Sequence, residues 1–169
     1  MVNILVTGFP RIGKTTLIKE LLKKTTKKYA GFYTEEIKNQ NERRSGFKVV
    51  ALSSNEEGIL AHVNTKSNMR VGKYGVDLKD FESIIIPEME KDSELLVIDE
   101  IGKMELFSKK FKDQLLKCLE KGNVIATITK KGGGMFVENI KNREDVELIM
   151  LTIENRNLMV DELLKKIDA

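Results

Sequence analysis

The feature that most constrains this chain is a short glycine-containing stretch near its N-terminus. Residues 8–15 read Gly-Phe-Pro-Arg-Ile-Gly-Lys-Thr, which fits the pattern G-x-x-x-x-G-K-T. An apolar run over residues 2–7 precedes this stretch, and residues 16–24 carry apolar side chains at helical spacing. A strand, a glycine-rich loop and a helix in this order form a site for the phosphates of a nucleotide. The sequence therefore predicts a phosphate-binding loop.

The residue types in this loop suit a chain of phosphates. Its glycines let backbone N–H groups close around the β-phosphate, and the N-terminus of the following helix adds a partial positive charge. We expect Lys14 to act as a catalytic cation on the β- and γ-phosphates and the Thr15 hydroxyl to hold Mg²⁺. Arg11 either covers the phosphates or points to water. The residues expected to contact nucleotide here are Gly8, Phe9, Pro10, Arg11, Ile12, Gly13, Lys14, Thr15 and Thr16.

A second motif follows the apolar run of residues 95–98, where Asp99 and Glu100 stand at the predicted end of a buried strand. The carboxyl ends of parallel strands face the ligand crevice of an α/β fold. We expect Asp99 to hold Mg²⁺ through water, and Glu100 to polarise a catalytic water lined up on the γ-phosphate. Gly102 and Lys103 complete this second nucleotide-binding segment.

The stretch from Asp99 to Gly102 also fits D-x-x-G, the switch motif of GTPases. Two features weigh against a GTPase. The sequence contains no N-K-x-D motif to select guanine, and a β-meander is predicted where a GTPase carries its switch threonine. The motif context therefore favours an ATPase-like protein.

Polar side chains stand at the tip of the next predicted strand, at residues 123–129. Thr129 and Lys130 are the residues there that we expect near the γ-phosphate. Thr127 is explained at least as well as a β-branched strand residue. Lys130 and Lys131 precede three glycines. A solvated turn is a better interpretation of this lysine pair than a cation that neutralises developing charge.

Strand patterns and helix patterns alternate along the chain, which predicts an α/β fold with a mostly parallel sheet covered on both faces. Around residues 30–63, three short strand patterns separated by turns predict an inserted antiparallel β-meander. No linker composition divides residues 1–169, so we expect a single domain in three layers. The remaining predicted elements are helices at 77–90, 106–119, 136–142 and 156–167, strands at 94–99, 123–129 and 146–152, and an irregular stretch at 64–76.

Strand order separates classes of proteins with this loop. In RecA-like ATPases, a strand lies between the glycine-loop strand and the strand of the magnesium-binding acid. In GTPases and most nucleotide kinases, those two strands are neighbours. Because Glu100 favours the first class, we predict a RecA-like sheet in which residues 123–129 lie between residues 2–7 and residues 94–99. A right-handed crossover through the helix at 106–119 allows this order.

The composition indicates which partners and which cellular compartment to expect, but it says little about the reaction. The 29 Lys and Arg residues nearly balance the 26 Asp and Glu residues, so the net charge of +3 gives little support for a nucleic acid partner. The single cysteine, Cys118, excludes an internal disulfide and lies in an apolar helical pattern typical of a core residue. No apolar run is long enough to span a membrane, and the N-terminus lacks the flanks of a signal peptide. We expect a monomeric cytoplasmic protein without a membrane partner.

Together the motifs resemble those of a family of small nucleoside-triphosphatases from archaea and thermophilic bacteria, whose human relative is called cancer-related nucleoside-triphosphatase. The resemblance covers nearly the whole chain, and its most specific part is Asp-Glu-Ile-Gly-Lys-Met-Glu at residues 99–105. It also rests on residues 8–15, on residues 31–37 with Arg43, Gly46 and Phe47, and on residues 154–156.

This resemblance implies a RecA-type sheet. It also implies Mg²⁺-dependent hydrolysis of nucleoside triphosphates (ATP, GTP, CTP and UTP) to diphosphates and phosphate, with low base selectivity. The chain departs from the family after the third buried strand, where Thr129, Lys130 and Lys131 stand in place of an expected histidine.

Two other functions stay open at this point. A kinase would pass the γ-phosphate to a small molecule or a polynucleotide, with an acceptor site between the meander and the stretch that carries Arg70 and Lys73. A nucleotide-dependent binding module, for RNA for example, would use Arg43, Arg44 and Arg70 to contact phosphates.

Overall fold

The computed structural model describes residues 2–168, in which strands and helices alternate on either side of an all-β region. The strands are β1 (Asn3–Thr7), β2 (Tyr29–Lys38), β3 (Arg44–Ala51), β4 (Glu57–His62), β5 (Arg70–Val71), β6 (Tyr74–Val76), β7 (Leu95–Ile101), β8 (Val124–Ile128) and β9 (Val146–Met150). The helices are α1 (Lys14–Lys24), α2 (Leu78–Glu90), α3 (Lys109–Lys121), α4 (Gly134–Lys141) and α5 (Arg156–Ile167), and a 3₁₀ turn at Glu105–Phe107 precedes α3.

These strands form one sheet in the order β5-β6-β4-β3-β2-β7-β8-β1-β9. From β2 to β9 each neighbouring pair is parallel, and from β2 to β5 each pair is antiparallel. Strand β8 lies between β1 and β7, with Ala126 opposite both Leu5 and Ile98. The predicted RecA-like order, with a strand between the two motif strands, is therefore confirmed.

The predicted β-meander is present, and it extends the central sheet. Strand β2 pairs in parallel with β7 on one side and antiparallel with β3 on the other. Residues 64–76, predicted to be irregular, contain the short strands β5 and β6 at the far edge. Strands of two and three residues are too short to show an apolar alternation, so the sequence pattern did not reveal them.

The helix predicted at 106–119 begins later than its apolar pattern indicated. Helix α3 starts after Ser108, whose hydroxyl oxygen accepts a hydrogen bond from the Phe111 N–H at 3.0 Å. The same hydroxyl donates to the Glu82 carboxylate at 2.6 Å. Because this cap satisfies an N–H that the first turn leaves free, the helix boundary follows the cap and not the first apolar residue.

Apolar cores cover the two faces of the sheet. Successive residues of β1 divide between them, with Leu5 in one core and Ile4 and Val6 in the other. Helices α2, α3 and α4 pack on the Leu5 face, whereas α1 and α5 pack on the opposite face. The parallel strands are therefore held from both sides, and their carboxyl ends form a rigid edge for a site.

The environment of Cys118 and the character of the helices bear on two expectations drawn from the composition. Cys118 is buried in α3, where its thiol lies 3.5 Å from the Met89 carbonyl oxygen. Within residues 2–168, no helix has the length and apolar character needed to cross a membrane.

Candidate active site

The glycine loop joins β1 to α1 at the carboxyl edge of the parallel strands. Gly13 has a φ of 113°, a backbone conformation that glycine adopts without a steric clash. Helix α1 then begins without a side-chain cap, so the N–H groups of its first turn are available to a ligand. Gly8 packs closely on the chain after β9, because a Cβ there would stand 2.8 Å from the Leu151 carbonyl oxygen. The loop has the free donors that an anion needs.

The Lys14 side chain folds back over this loop and joins the two sequence motifs. Its ammonium nitrogen donates to the Gly8 carbonyl oxygen at 2.8 Å. The same nitrogen lies 3.9 Å from the Glu100 carboxylate, and the Lys14 side chain is only 10% exposed. The positive charge therefore stands between the phosphate loop and the acid at the end of β7.

Asp99 lies near the end of β7 and is buried. One carboxylate oxygen accepts a hydrogen bond from the Thr127 hydroxyl at 2.6 Å, whereas the other is buried with no hydrogen-bond partner among the described residues. Burial raises the pKa of Asp99, although the hydrogen bond from Thr127, the nearby Thr15 hydroxyl and the charge of Lys14 oppose the shift. An unpartnered carboxylate oxygen beside the Thr15 hydroxyl fits Mg²⁺, which prefers oxygen ligands.

The two threonines of the β8 segment make different contacts. Thr127, for which a site contact and a plain strand role were both open, is buried and holds Asp99. Thr129, expected near the γ-phosphate, lies on the cleft wall, but its hydroxyl donates to the Lys131 carbonyl oxygen at 2.7 Å. Strand β8 ends at Ile128, so strand alternation no longer directs the Thr129 side chain toward the site.

Glu100 is half-buried and faces the cleft between Asp99 and Lys14. Burial raises the pKa of its carboxyl, the charge of Lys14 lowers it, and the charge of Asp99 raises it. The net direction is upward, which brings this carboxyl closer to the pH range in which a general base is most effective.

Glu105, for which the sequence motifs predict no role, lies in the same site. Its side chain is buried in the 3₁₀ turn after β7 and reaches the cleft wall. Burial, and then the charge of Glu100, raise the pKa of Glu105 well above its ordinary value. The sequence offered one indication of such a role, because Glu105 is the last residue of the family-specific motif at residues 99–105.

The site occupies a cleft of about 960 Å³. Most of the predicted site residues line it: Gly8, Phe9, Pro10, Arg11, Gly13, Lys14, Thr15, Thr16, Asp99, Glu100, Lys103, Thr129 and Lys130. Two predicted residues lie behind this lining. Ile12 packs against an apolar core, and Gly102 is buried beside the Glu100 and Glu105 carboxyls.

The cleft continues past the phosphate loop onto the antiparallel part of the sheet. The sequence places this wall near the nucleotide only under the kinase alternative, as part of an acceptor site. Its residues include Thr34, Glu35, Glu36, Lys38, Phe47, Leu60 and Val71. Arg70, expected at an acceptor site, instead donates to the Lys73 and Thr65 carbonyl oxygens of its own hairpin, at 2.7 and 3.3 Å. Arg44 pairs with Glu36 at 3.2 Å.

The loop after β8 brings lysines to the cleft. The Lys130 ammonium lies 4.3 Å from the centre of the Phe9 ring, a cation–π contact with the glycine loop. The stem of Lys103 crosses over Gly132, where a Cβ would overlap the Lys103 Cε. A glycine at 132 is therefore what leaves room for Lys103.

The segment at residues 154–156 supports the glycine loop from the side. The Asn155 side chain accepts from the Thr152 N–H and donates to the Met150 carbonyl oxygen, both at 2.8 Å. The Arg156 guanidinium donates to the Ile12 carbonyl oxygen at 3.2 Å. In the sequence, only the family resemblance singles out this segment.

A glycine loop after β1, a buried acid near the end of β7 and a strand between them define a P-loop protein with RecA-like strand order. Comparison with known proteins narrows this class. The family model described as NTPase matches residues 3–164. The nucleoside-triphosphatase THEP1 of Thermotoga maritima is 48% identical over 166 residues, which cover 96% of this chain and 93% of that protein.

The cancer-related nucleoside-triphosphatase of Homo sapiens is 39% identical over 180 residues, covering 95% of this chain and 94% of that protein. The crystal structure of THEP1 from Aquifex aeolicus superposes with a TM-score of 0.89 at 36% identity and covers 99% of both chains. The chain belongs to this nucleoside-triphosphatase family, which confirms the resemblance inferred from its motifs.

Proposed function

We propose that this protein hydrolyses nucleoside 5′-triphosphates, among them ATP, GTP, CTP and UTP, to the diphosphate and phosphate in a Mg²⁺-dependent reaction. The observation that carries the proposal is the position of Glu100, which follows the buried Asp99 and lies 3.9 Å from the Lys14 ammonium. A carboxylate at this point can orient a water molecule and accept its proton. Water activated there is the nucleophile that hydrolysis requires.

The other residues of the site take complementary roles. The N–H groups of the glycine loop and the Lys14 ammonium bind the β- and γ-phosphates and offset their charge. The Thr15 hydroxyl and the Asp99 carboxylate would hold Mg²⁺, which when bound neutralises charge on the phosphate oxygens. Thr127 keeps the Asp99 carboxylate in place through its hydrogen bond. Lys103 and Lys130 line the cleft as further cations for the γ-phosphate.

Low base selectivity is part of this proposal. Strong selection among bases needs hydrogen-bonding groups that are buried around the base. The sequence has no N-K-x-D element for guanine. The relatives named above are called nucleoside-triphosphatases, a name that specifies no single base.

The test is phosphate release from ATP, GTP, CTP and UTP, measured with and without Mg²⁺ and with and without a panel of alcohols and polynucleotides. We expect Mg²⁺-dependent release from all four nucleotides without any acceptor. Transfer of the γ-phosphate to an acceptor, with no release to water, would contradict hydrolysis and establish the kinase alternative.

Glu100→Gln tests the role of the proposed base. The amide keeps the shape of the side chain and cannot accept the proton, so we expect kcat to fall by roughly 100- to 10,000-fold. Binding of the Mg²⁺-nucleotide should persist. Glu36→Gln is the matched control, because Glu36 is another acid on the cleft wall but pairs with Arg44 at 3.2 Å. Loss of nucleotide binding in Glu100→Gln would instead make Glu100 a metal or structural residue.

A further inference from the structure

Phe9 is a large apolar side chain that stands out of the phosphate loop into solvent. It is 60% exposed, whereas Ile12 in the same loop packs against an apolar core. An aromatic ring left in water forgoes the free energy that its burial would provide. The position of this ring therefore needs a reason other than packing.

Two ammonium groups lie close to Phe9. The Lys14 Nζ lies 3.5 Å from the Phe9 carbonyl oxygen. The Lys130 Nζ lies 4.3 Å from the centre of the Phe9 ring. All three residues line the cleft that also contains Glu100. The ring of Phe9 thus brings a cation from the segment after β8 to the phosphate loop, which already carries the cation of Lys14.

The backbone around Lys130 is fixed on two sides. The Thr129 N–H donates to the Ile101 carbonyl oxygen at 3.0 Å. The Lys130 carbonyl oxygen accepts a hydrogen bond from the Lys141 ammonium at 3.2 Å, which ties this segment to α4. The Lys130 stem therefore reaches Phe9 from an anchored base, and only its side chain remains to be oriented.

The strand order places Lys130 on the side of the γ-phosphate. Strand β8 lies between β1, which leads into the phosphate loop, and β7, which carries Glu100. A nucleotide whose γ-phosphate faces Glu100 directs that phosphate toward the segment after β8. A cation that is already in place there offsets developing charge without reorganisation during the reaction.

No acid competes for the Lys130 ammonium. Across residues 2–168, no Asp or Glu side chain forms an ion pair with it. A carboxylate could hold this lysine, but it would also cancel the charge that a phosphate needs. An aromatic face attracts an ammonium through its quadrupole and leaves the charge intact. The Phe9 ring is therefore suited to orient Lys130 without neutralising it.

We infer that Phe9 is a positioning residue whose ring holds the Lys130 ammonium beside the phosphate loop, where it meets the γ-phosphate as charge develops during hydrolysis. This inference rests on the proposed function, because it assumes that water attacks the γ-phosphate in this cleft. It extends that function by giving the Phe9 side chain a task that the backbone of the loop cannot perform.

The experiment compares Phe9→Leu with Phe9→Tyr in steady-state hydrolysis of Mg²⁺-ATP. Leucine keeps an apolar side chain but has no aromatic face, so kcat should fall by roughly two- to fivefold, the effect of one cation–π contact at an exposed site. KM should change less than kcat, because Lys130 acts on charge that develops after binding. Tyrosine keeps the ring face and should restore most of the rate.

A double-mutant cycle with Lys130→Met tests whether Phe9 acts through Lys130. Methionine removes the ammonium and keeps an unbranched stem, and kcat should fall by about tenfold or more. Adding Phe9→Leu to Lys130→Met should cause no further loss, since the ring then has no cation to hold. Losses that add in the double variant would overturn the inference, as would a wild-type kcat in either single variant.

Lys131→Met is the matched control for the charge of this segment. Lys131 is the next residue, is exposed and lines the same cleft, but none of the cation–π contacts in the described part of the chain involves it. Its replacement should change kcat little, and adding Phe9→Leu should then cause the full loss seen with Phe9→Leu alone. Coupling of Phe9 to Lys131 as strong as that to Lys130 would contradict a specific contact.

A measurement without turnover separates this inference from the proposed function. Protons above an aromatic ring are shielded, so the Lys130 ε-methylene protons should resonate upfield of those of other lysines in the nucleotide-free wild type. The shift should disappear in Phe9→Leu, and Lys130→Met assigns the resonance. Ordinary Lys130 resonances in the wild type would overturn the contact whatever the activity. An upfield resonance in a wild type that releases no phosphate would instead overturn the proposed hydrolysis, and the inference with it.

Discussion

Three acids at the edge of the sheet differ in what surrounds each carboxyl. Burial is the main cause that raises the pKa of Asp99, Glu100 and Glu105. The opposing or reinforcing neighbour differs: the Thr127 hydroxyl for Asp99, the Lys14 ammonium for Glu100, and Glu100 itself for Glu105. These surroundings suit Asp99 and Glu100 to the separate tasks proposed for them, which are holding a cation and activating water.

Asp99→Asn should change the response to magnesium. The amide carries no charge to balance the cation, so the Mg²⁺ concentration for half-maximal rate should rise by roughly a hundredfold, with a lower kcat. Thr127→Val removes only the supporting hydroxyl and should raise that concentration by about tenfold, as loss of a ligand's hydrogen-bond partner does. Initial rates at saturating ATP over a magnesium series measure both effects. An unchanged midpoint in Asp99→Asn would exclude it as a metal ligand.

Glu105 should also make stability depend on pH. Its pKa is raised in the folded state, so its contribution to stability is complete below the unfolded value of about 4.3 and is lost as pH rises toward the folded value. Glu105→Gln does not ionise and should be more stable than the wild type near neutral pH. The difference should shrink as pH falls toward about 4. Urea unfolding across this range measures it, and a difference that grows on acidification would contradict the prediction.

Among the elements, helix α2 shows how a side chain sets a boundary. Asp77 precedes the helix, and its carboxylate accepts a hydrogen bond from the Asp80 N–H at 3.0 Å. Asp77→Ala should lower the free energy of unfolding by about 1 kcal/mol, whereas Asp77→Asn should keep most of the cap. Lys79→Ala, an exposed change in the same turn, is the control. Equal unfolding midpoints for Asp77→Ala and the wild type would show that the cap contributes nothing.

The loop between β8 and α4 contains Gly132, whose contact with Lys103 should affect the rate of hydrolysis. Gly132→Ala would place a methyl group on the Lys103 stem and push its ammonium from the cleft. If Lys103 stabilises the γ-phosphate, kcat should fall by roughly a hundredfold, as in Lys103→Ala. Gly134→Ala is matched in backbone strain, with a φ of 65° against 87° at Gly132, but meets nothing within 4 Å. Equal rates for the two glycine variants would show that the Lys103 contact is irrelevant.

For the molecule as a whole, the order of the strands determines which groups meet. Because β8 separates β1 from β7, Thr127 reaches Asp99 across the sheet, although 28 residues of sequence separate them. The Arg156 contact with the Ile12 carbonyl oxygen spans 144 residues and ties the last helix to the phosphate loop. The site therefore depends on the complete parallel sheet.

The open cleft of about 960 Å³ leads to a prediction for substrate range. With no motif for guanine, kcat/KM for ATP and GTP should agree within about tenfold, which corresponds to roughly 1.4 kcal/mol in barrier height. Competition between the two nucleotides, followed by separation of the diphosphate products, measures the ratio directly. A hundredfold preference for either purine would contradict low base selectivity and favour a dedicated kinase or GTPase.

Much of the fold could be predicted because its signals are local. The glycine loop, the apolar strands and the Asp77 cap each lie within a few neighbouring residues, so their chemistry is visible in the sequence. Even the position of β8 between β1 and β7 could be predicted, because Glu100 favoured a RecA-like strand order. The short strands β5 and β6 did not follow, because they form only by pairing with the rest of the sheet.

The sequence by itself determined the phosphate loop, the two acids near the end of β7 and the family to which they belong, because each is a contiguous motif with its own chemistry. Only the tertiary structure decided that the Thr127 hydroxyl holds Asp99, and that Glu100 and Glu105 both pack against Gly102. These contacts depend on where strands end and how closely a turn approaches the sheet. The packing of distant segments sets where a strand ends and how closely a turn approaches the sheet. No local pattern of residues encodes either of them.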